Sequence, residues 1–414
     1  MKYTLCLSGG GFRATLFHLG VIRRLIFLNV FNEIERINSV SGGSIAAAMV
    51  MQELTKSSFS SIEDFDHRVI KPVVNFIQKS PRGNIYTIIP LRKDPLKFAK
   101  VLDEELFQGL SFNKLAKSPQ WVCYATSLNS AYSWKFSQDE IGDSSIGHTQ
   151  PTQDDRISIG VAASACFPPL FKPLRFETYN RSFQFKYVEG MLVDRNNPTP
   201  PQTILLTDGG VYDNLGSESV LTKGNSFIIS DASGITGNWR HDLPGLLGEL
   251  KRPVDIAMDQ IGKLRRRLLF NMLIKSDDSI LIEAAKPLSA YSTKELPGKE
   301  SPTRPDNMPV YVSLPRDLEK SIGEIRTDLN AFHDIEIHLL LWNGMVKIDA
   351  ALKRWVPYLI DKKFWNVVPD INIDFDKALE IMKSGKSVRV WGELHKELHI
   401  NPQRKFIDHI TTVL

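Results

Sequence analysis

The chain has 414 residues, 42% apolar and 24% charged, and a formal net charge of +4, the proportions of a soluble globular protein built as one large domain with an extension or as two domains. So small a net charge argues against a nucleic-acid partner, though a local basic face can still meet anionic lipid. The three cysteines, Cys6, Cys123 and Cys166, lie in apolar or small-residue segments without zinc spacing, which predicts buried reduced thiols, a cytoplasmic chain, no metal site and no cofactor.

The N-terminus is too short and wrongly flanked for a signal peptide, and no run of about 18 apolar residues predicts a membrane span. Residues 2–8 read as a short apolar strand, followed at once by Gly9, Gly10 and Gly11. Leu16, Leu19, Ile22, Leu25 and Ile26 then recur at helical spacing. A second strand over 36–40 leads into Ser41-Gly42-Gly43-Ser44 and a small-residue helix. Residues 59–115 are helical and mixed, broken by Pro72, Pro81, Pro90 and Pro95, and read as a cap or lid inserted between core elements. Strands are expected at 121–126 and 132–136, and a small-residue helix over 157–165 that Phe167-Pro168-Pro169 stops.

Residues 175–200 alternate polar and aromatic residues, as a surface hairpin and loop would, before a short strand at 204–206 that runs into Asp208-Gly209-Gly210. Another strand ends at Asp231, a long helix spans 245–274, and a last strand covers 279–285. The proline-rich stretch 286–309 reads as a loop or linker, and 310–414 as mostly helical, with Asp334 starting and Gly344 stopping its clearest helix. Strands alternating with helices predict a three-layer α/β/α sandwich on a largely parallel sheet, with a catalytic domain over 1–285 and a helical C-terminal extension.

Three turns carry chemistry. A serine at a sharp strand-to-helix turn can be exposed beside the N–H that follows it, and small neighbours let the helix pack close to the strand. Ser39-Val40-Ser41-Gly42-Gly43 fits G-x-S-x-G except that serine replaces the first glycine; a helix N-cap at Ser41 or Ser44 accounts for the same residues. Gly9, Gly10 and Gly11 let several N–H groups point at one anion, a phosphate or an oxyanion formed in acyl transfer. No Gly-Lys-Ser/Thr follows, and Ala14 stands at the last position of G-x-G-x-x-G, so neither nucleotide-binding pattern is met. Arg13 puts a positive charge at a helix start, against the macrodipole, for which an anion or a surface salt bridge is a reason. Asp208, at a strand's C-terminal end, is placed either to act as a base for Ser41 or simply to make an Asp-Gly turn.

Together, in this order, the turns resemble the patatin-like phospholipase family, with its glycine-rich oxyanion loop, G-x-S-x-G serine and D-G-[AG] aspartate. Ser8 to Ala14 also resembles the cytosolic phospholipases A2. Further matches are Ala125-Thr126, Ala163-Ser164-Ala165-Cys166-Phe167-Pro168 and Asp208 to Asn214, so the likeness covers roughly 3–235; Thr327 to Gly344 resembles a C-terminal stretch of bacterial members. Ser39 and Ala14 stand where the family has glycine, which implies a slightly altered turn. The resemblance implies a Ser-Asp dyad in which Ser41 attacks and Asp208 is the base. Gly9, Gly10, Gly11 and Arg13 would form the oxyanion site, Ser39, Gly42 and Gly43 the nucleophile turn, and Gly209 and Gly210 the acceptor turn. The implied substrate is a fatty-acyl ester, above all a phospholipid, cleaved through an acyl-enzyme at a transiently contacted membrane surface, with an activating partner or small messenger left open.

Two other readings stand beside it. One is an α/β-hydrolase triad, with His241 or His333 following Asp208; the early position of Ser41, with only the 2–8 strand ahead of its own strand and turn, argues against that fold. The other is a non-catalytic binder of lipid phosphate or nucleotide at the glycine loop. Lys263 to Phe270 mixes basic and bulky apolar residues, which could lie on an anionic membrane surface but fits better a long helix with one buried stripe and one solvated basic face.

Overall fold

A computed structural model describes residues 2–79, 93–184, 200–224, 226–234, 246–276, 278–292, 308–327, 329 and 331–387. Outside them lie His241 and parts of four expected segments: 80–92 of the lid, 185–199 of the hairpin and loop, 293–307 of the linker and 388–414 of the helical extension.

Among the described residues ten strands form one sheet: β1 (Tyr3–Leu7), β2 (Ile34–Val40), β3 (Gln120–Ser127), β4 (Ser133–Ser137), β5 (Ile141–Asp143), β6 (Gly147–Thr149), β7 (Leu174–Glu177), β8 (Thr203–Asp208), β9 (Phe227–Asp231) and β10 (Ile280–Glu283). The order is β10-β9-β1-β2-β3-β4-β5-β6, with β8 joined to β3 and β7. From β10 to β3 neighbours run parallel; from β3 outward they run antiparallel. The fold is thus α/β with a largely parallel centre, as the alternation of strands and helices predicts. β5 and β6 escape the sequence reading because three residues are too few to establish a period of two.

The first helices are α1 (Gly11–Phe27) and α2 (Gly42–Lys56). α3 (Ile62–Phe65) runs through a π turn into α4 (Lys71–Lys79), and α5 (Pro95–Leu102) and α6 (Ile157–Ala165) follow. Beyond β8 come α7 (Gly210–Asp213), α8 (Glu218–Lys223), α9 (Leu246–Lys275), α10 (Ser289–Ser292), α11 (Arg316–Gly323), α12 (Asp334–Trp355) and α13 (Phe375–Ser387). The buried strand β1 shows how the layers form. Tyr3, Leu5 and Leu7 join the core that holds α1, α2 and α12, while Cys6, on the opposite face, packs with Leu215, Val220, Leu269 and Leu273 from the α8 and α9 side. Helices on both faces explain why the central strands read as continuous apolar runs.

Gly344 does not stop its helix. α12 runs through it to Trp355, starting from His333 in a capping box with Glu336. The glycine serves close packing instead: a Cβ at Gly344 would lie 2.1 Å from the Phe17 carbonyl oxygen, and one at Gly20 would lie 2.0 Å from that of Leu341. Two glycines thus let α1 and α12 meet backbone to backbone. The contact is flanked by buried charges, with Asp349 accepting from Arg24 at 2.6 Å, Lys353 at 2.9 Å and Tyr311 at 2.8 Å. Pairing satisfies these charges, and removing one partner would strand the others. In the 59–115 segment, the described helices bury Phe65, Val73, Phe76, Phe98 and Leu102 in the same core, and Arg23 grips Asp66 through two 2.7 Å bonds. No helix among the described residues is long and apolar enough to cross a membrane.

Candidate active site

The sheet brings Ser41 and Asp208 together through one strand. β2 pairs with β3 as far as Val40 opposite Tyr124; β8 takes over at the next residue, with Asp208 opposite Ala125. Since β4 occupies the other edge of β3 over the same residues, β2 and β8 share one edge and meet end to end. Gly209 fits this junction because a Cβ there would lie 2.3 Å from the Tyr124 carbonyl oxygen. α6 ties the end of β8 in place: Gly209 N–H donates to the Ser164 carbonyl at 3.2 Å and Asp208 N–H to that of Cys166 at 3.3 Å. Thr126 Oγ1 donates to the Asp208 carbonyl at 2.9 Å.

Ser41 has φ 50° and ψ −119°, a strained backbone for a residue with a side chain and the mark of a sharp turn between strand and helix. The next residues must be small: a Cβ on Gly42 would fall 2.0 Å from the Gly11 carbonyl oxygen, and one on Gly43 2.5 Å from that of Leu7. The nucleophile turn and the glycine loop therefore touch through bare backbone, and Thr15 Oγ1 spans both, donating to the Gly42 carbonyl at 2.8 Å. Ser39 anchors a buried relay. Trp121 Nε1–H donates to its Oγ at 2.8 Å, Ser39 and Ser44 share a bond of 2.9 Å, Ser44 and Ser164 one of 3.0 Å, and Ser164 Oγ receives the Ser41 N–H at 2.8 Å. Sequence alone offers only the small size of Ser39; the relay also needs Trp121 and Ser164, from two distant segments.

Burial pushes the Asp208 carboxyl up to about 7, against the Gly210 N–H bond of 2.7 Å and the Ser41 hydroxyl, which both favour the charged form. No histidine is among the described partners of Asp208. His333 caps α12, and His18 is buried with its Nε2 2.9 Å from the Ser8 carbonyl and its Nδ1 2.8 Å from Ser230 Oγ. A carbonyl only accepts, so Nε2 carries the proton and Nδ1 accepts; burial holds this imidazole neutral, down to about 4. His18 thus fixes the end of β1 immediately before Gly9.

The glycine loop divides its labour. Gly9 N–H is spent on the Asn214 carbonyl at 2.9 Å, which removes it from the expected oxyanion site and leaves Gly10 and Gly11 as the N–H groups of this turn. Both have positive φ, 146° and 58°, the region that favours glycine. Arg13 also departs from expectation. Its fully buried guanidinium turns toward the C-terminal region and donates through Nη1 to the Ile325 carbonyl at 3.3 Å, so its anchor is protein backbone rather than an oxyanion. Desolvation draws this guanidinium down to about 10. Asn214 is the residue the motifs left without a task. Its Oδ1 sits where a Cβ on Gly9 (2.2 Å) or Gly210 (2.5 Å) would fall, and its Nδ2 donates to Ser233 Oγ at 2.8 Å. It joins the glycine loop, the Asp208 turn and the end of β9.

A hydroxyl at a strained turn, a buried carboxylate poised near neutrality and two glycine N–H groups can perform acyl transfer. Among solved structures, human GIVD cytosolic phospholipase A2 is similar at a TM-score of 0.47 and 11% identity over 92% of this chain, which spans 63% of that chain. The same human enzyme in complex with methyl gamma-linolenyl fluorophosphonate gives 0.40 and 13% over 92% of this chain and 59% of that one. VipD from Legionella pneumophila gives 0.30 and 14%, over 94% and 74%. None of the curated proteins matches the sequence. The Patatin family model, described as patatin-like phospholipase, matches residues 5–221, more than half the chain and all three turns, and the protein belongs to that family.

Proposed function

We propose that the protein is a phospholipase A-type lipid acyl hydrolase that cleaves fatty-acyl esters of phospholipids with a Ser41–Asp208 dyad. The observation that supports this reading is the end-to-end meeting of β2 and β8 on β3, which brings the strained turn of Ser41 to the buried Asp208, with no histidine among the described partners of that carboxylate. Ser41 Oγ attacks the ester carbonyl as its proton passes to Asp208. The oxyanion is held by the Gly10 and Gly11 N–H groups. As the intermediate collapses, Asp208 returns the proton to the departing lysophospholipid alkoxide, leaving an acyl-enzyme on Ser41. Water then attacks that ester with Asp208 again as base, releasing fatty acid. A carboxylate near 7 suits both directions of proton transfer at neutral pH. The substrate is met at a membrane surface, in keeping with the family description of a phospholipase.

The test is labelling with a serine-reactive fluorophosphonate, followed by mass spectrometry of products from a mixed lipid extract. Wild type labels and releases fatty acid and lysolipid, whereas Ser41→Ala and Asp208→Asn do neither. Identical lipid profiles for wild type and Ser41→Ala would remove the hydrolase reading, and intact ligand binding by Ser41→Ala would favour a non-catalytic binder. The histidine-triad alternative now rests on His241, because His333 is committed to its helix cap; loss of turnover in a folded His241→Ala variant would revive it.

A further inference from the structure

The long helix α9 has two faces with different tasks. Its inner face is bound to the core and the site: Leu269 and Leu273 are buried with Cys6 and Ile229 under the sheet. Two of its three consecutive arginines are also held inward. Arg265 pairs with Glu218 at 2.7 Å and Asp213 at 3.5 Å, and Arg266 pairs with Asp231 at 2.6 Å. Nearer the start of the helix, Met258 reaches the Asp208 turn, its Cε 2.8 Å from the position of a Cβ on Gly210. The helix therefore crosses beside the active-site turn with its inner charges already neutralised.

The outer face is of another kind. Ile256, Leu264 and Leu268 stand 44%, 56% and 54% exposed. At helical spacing they share an arc of about 140° with Ala257, Gln260, Lys263, Arg267, Asn271 and Lys275. Among the side chains described on this arc, the exposed ones include three cations and no carboxylate; Asp259, at its flank, takes Lys263 at 2.6 Å. The β3–β4 turn adds two exposed apolar residues, Leu128 and Tyr132. That turn lies just past Ala125, the residue opposite Asp208.

We propose that the outer face of α9, with Ile256, Leu264 and Leu268 set among Lys263 and Arg267, is the surface by which the protein docks onto an anionic phospholipid bilayer. This rests on the reading of the neighbouring site as a phospholipid hydrolase. Interspersed bulky apolar residues and cations without exposed acids match a layer that is apolar below and negative above, since apolar side chains enter the acyl boundary while cations meet head groups. Position completes the match: the face belongs to the helix whose inner side touches the Asp208 turn, so docking brings the acyl ester to the site over a short path.

The experiment is cosedimentation of the full chain with vesicles of phosphatidylcholine alone or mixed with phosphatidylglycerol, alongside hydrolysis of a water-soluble short-chain ester. Wild type is expected to bind mixed vesicles at least tenfold more tightly than neutral ones. Leu264→Asp with Leu268→Asp should lose at least tenfold of that binding, and Arg267→Glu several-fold, both with soluble-ester hydrolysis unchanged. Absence of wild-type vesicle binding, or unchanged binding by the double variant, would overturn the proposal; so would a double variant that changes only the oligomeric state in sedimentation velocity, which would assign the face to a second copy. Vesicle binding that depends on α9 without release of fatty acid would leave docking standing and remove the hydrolase reading. Fatty-acid release with binding indifferent to α9 would do the reverse.

Discussion

Val40 and Asp208 lie opposite consecutive residues of one strand, Tyr124 and Ala125. A register step of a single residue would turn the Asp208 side chain to the other face of the sheet, away from Ser41. The site is therefore only as accurate as the pairing of β3 with its two partners. Thr126→Val removes the hydroxyl that grips the Asp208 carbonyl at 2.9 Å while keeping the shape of the side chain. It should lower kcat about tenfold and stability by about 1 kcal/mol, measured by ester hydrolysis and urea unfolding. An unchanged kcat would mean that the other bonds to β8 suffice.

The Asp208 carboxyl, raised by burial to about 7, links activity and stability in opposite senses. As the base of the proposed dyad it has to be ionised, so kcat/KM should climb with pH to a plateau above about 7. For folding, the native state holds this proton more tightly than the unfolded chain, so the ionisation cost appears as pH rises from about 4 to about 7 and then stays constant. Asp208→Asn should therefore be inactive yet more stable than wild type at pH 8, by a few kcal/mol at most, with the difference shrinking toward pH 4. A thermal-unfolding series that shows no such convergence would place the perturbed group elsewhere.

Asn214 should behave as a positioning residue. Asn214→Ala frees Ser233 and opens the space between Gly9 and Gly210, and is expected to cost about tenfold to a hundredfold in kcat with little change in KM. Gly9→Ala forces a methyl into the Asn214 oxygen at 2.2 Å and should cost about 1–3 kcal/mol of stability. Because the two changes share that contact, the double variant should lose less stability than the sum. Strict additivity in denaturant unfolding would show that the contact carries no energy.

The α1–α12 crossing gives a test remote from the chemistry. Gly20→Ala and Gly344→Ala each place a Cβ near 2 Å from a backbone oxygen (2.0 Å and 2.1 Å), where no flexible side chain can yield. Each should destabilise by about 2–3 kcal/mol, seen as a lower urea midpoint. Tolerance of both would imply that α12 can slide outward along α1.

Ser39→Gly restores the family residue at the nucleophile turn but orphans the Trp121 indole N–H and breaks the relay to Ser164. A loss of about 1–2 kcal/mol is expected, with fluorophosphonate labelling of Ser41 retained at a reduced rate. Faster labelling than wild type would mean that the relay restrains the turn.

The linear sequence by itself determined the layered α/β architecture and the chemistry on offer. Apolar strands, helical spacing and small-residue turns are local patterns; Ser41, Asp208 and the glycine loop each also fit a purely structural turn and stand out only through the order of the three together. Gly344 shows the limit of local reading: a glycine that ends many helices here lets two helices touch, which depends on Phe17, far away in the chain. Arg13 is alike, since its burial against Ile325 follows from how the C-terminal region folds back. Gly9 loses its N–H to Asn214, and Arg265 and Arg266 turn inward while Arg267 faces out, for reasons of pairing across separate elements. Tertiary structure alone decided these roles. A hydrogen bond or an ion pair is a fact about two groups in space, and residues 167 positions apart, such as Ser41 and Asp208, become neighbours only when a third strand holds them both.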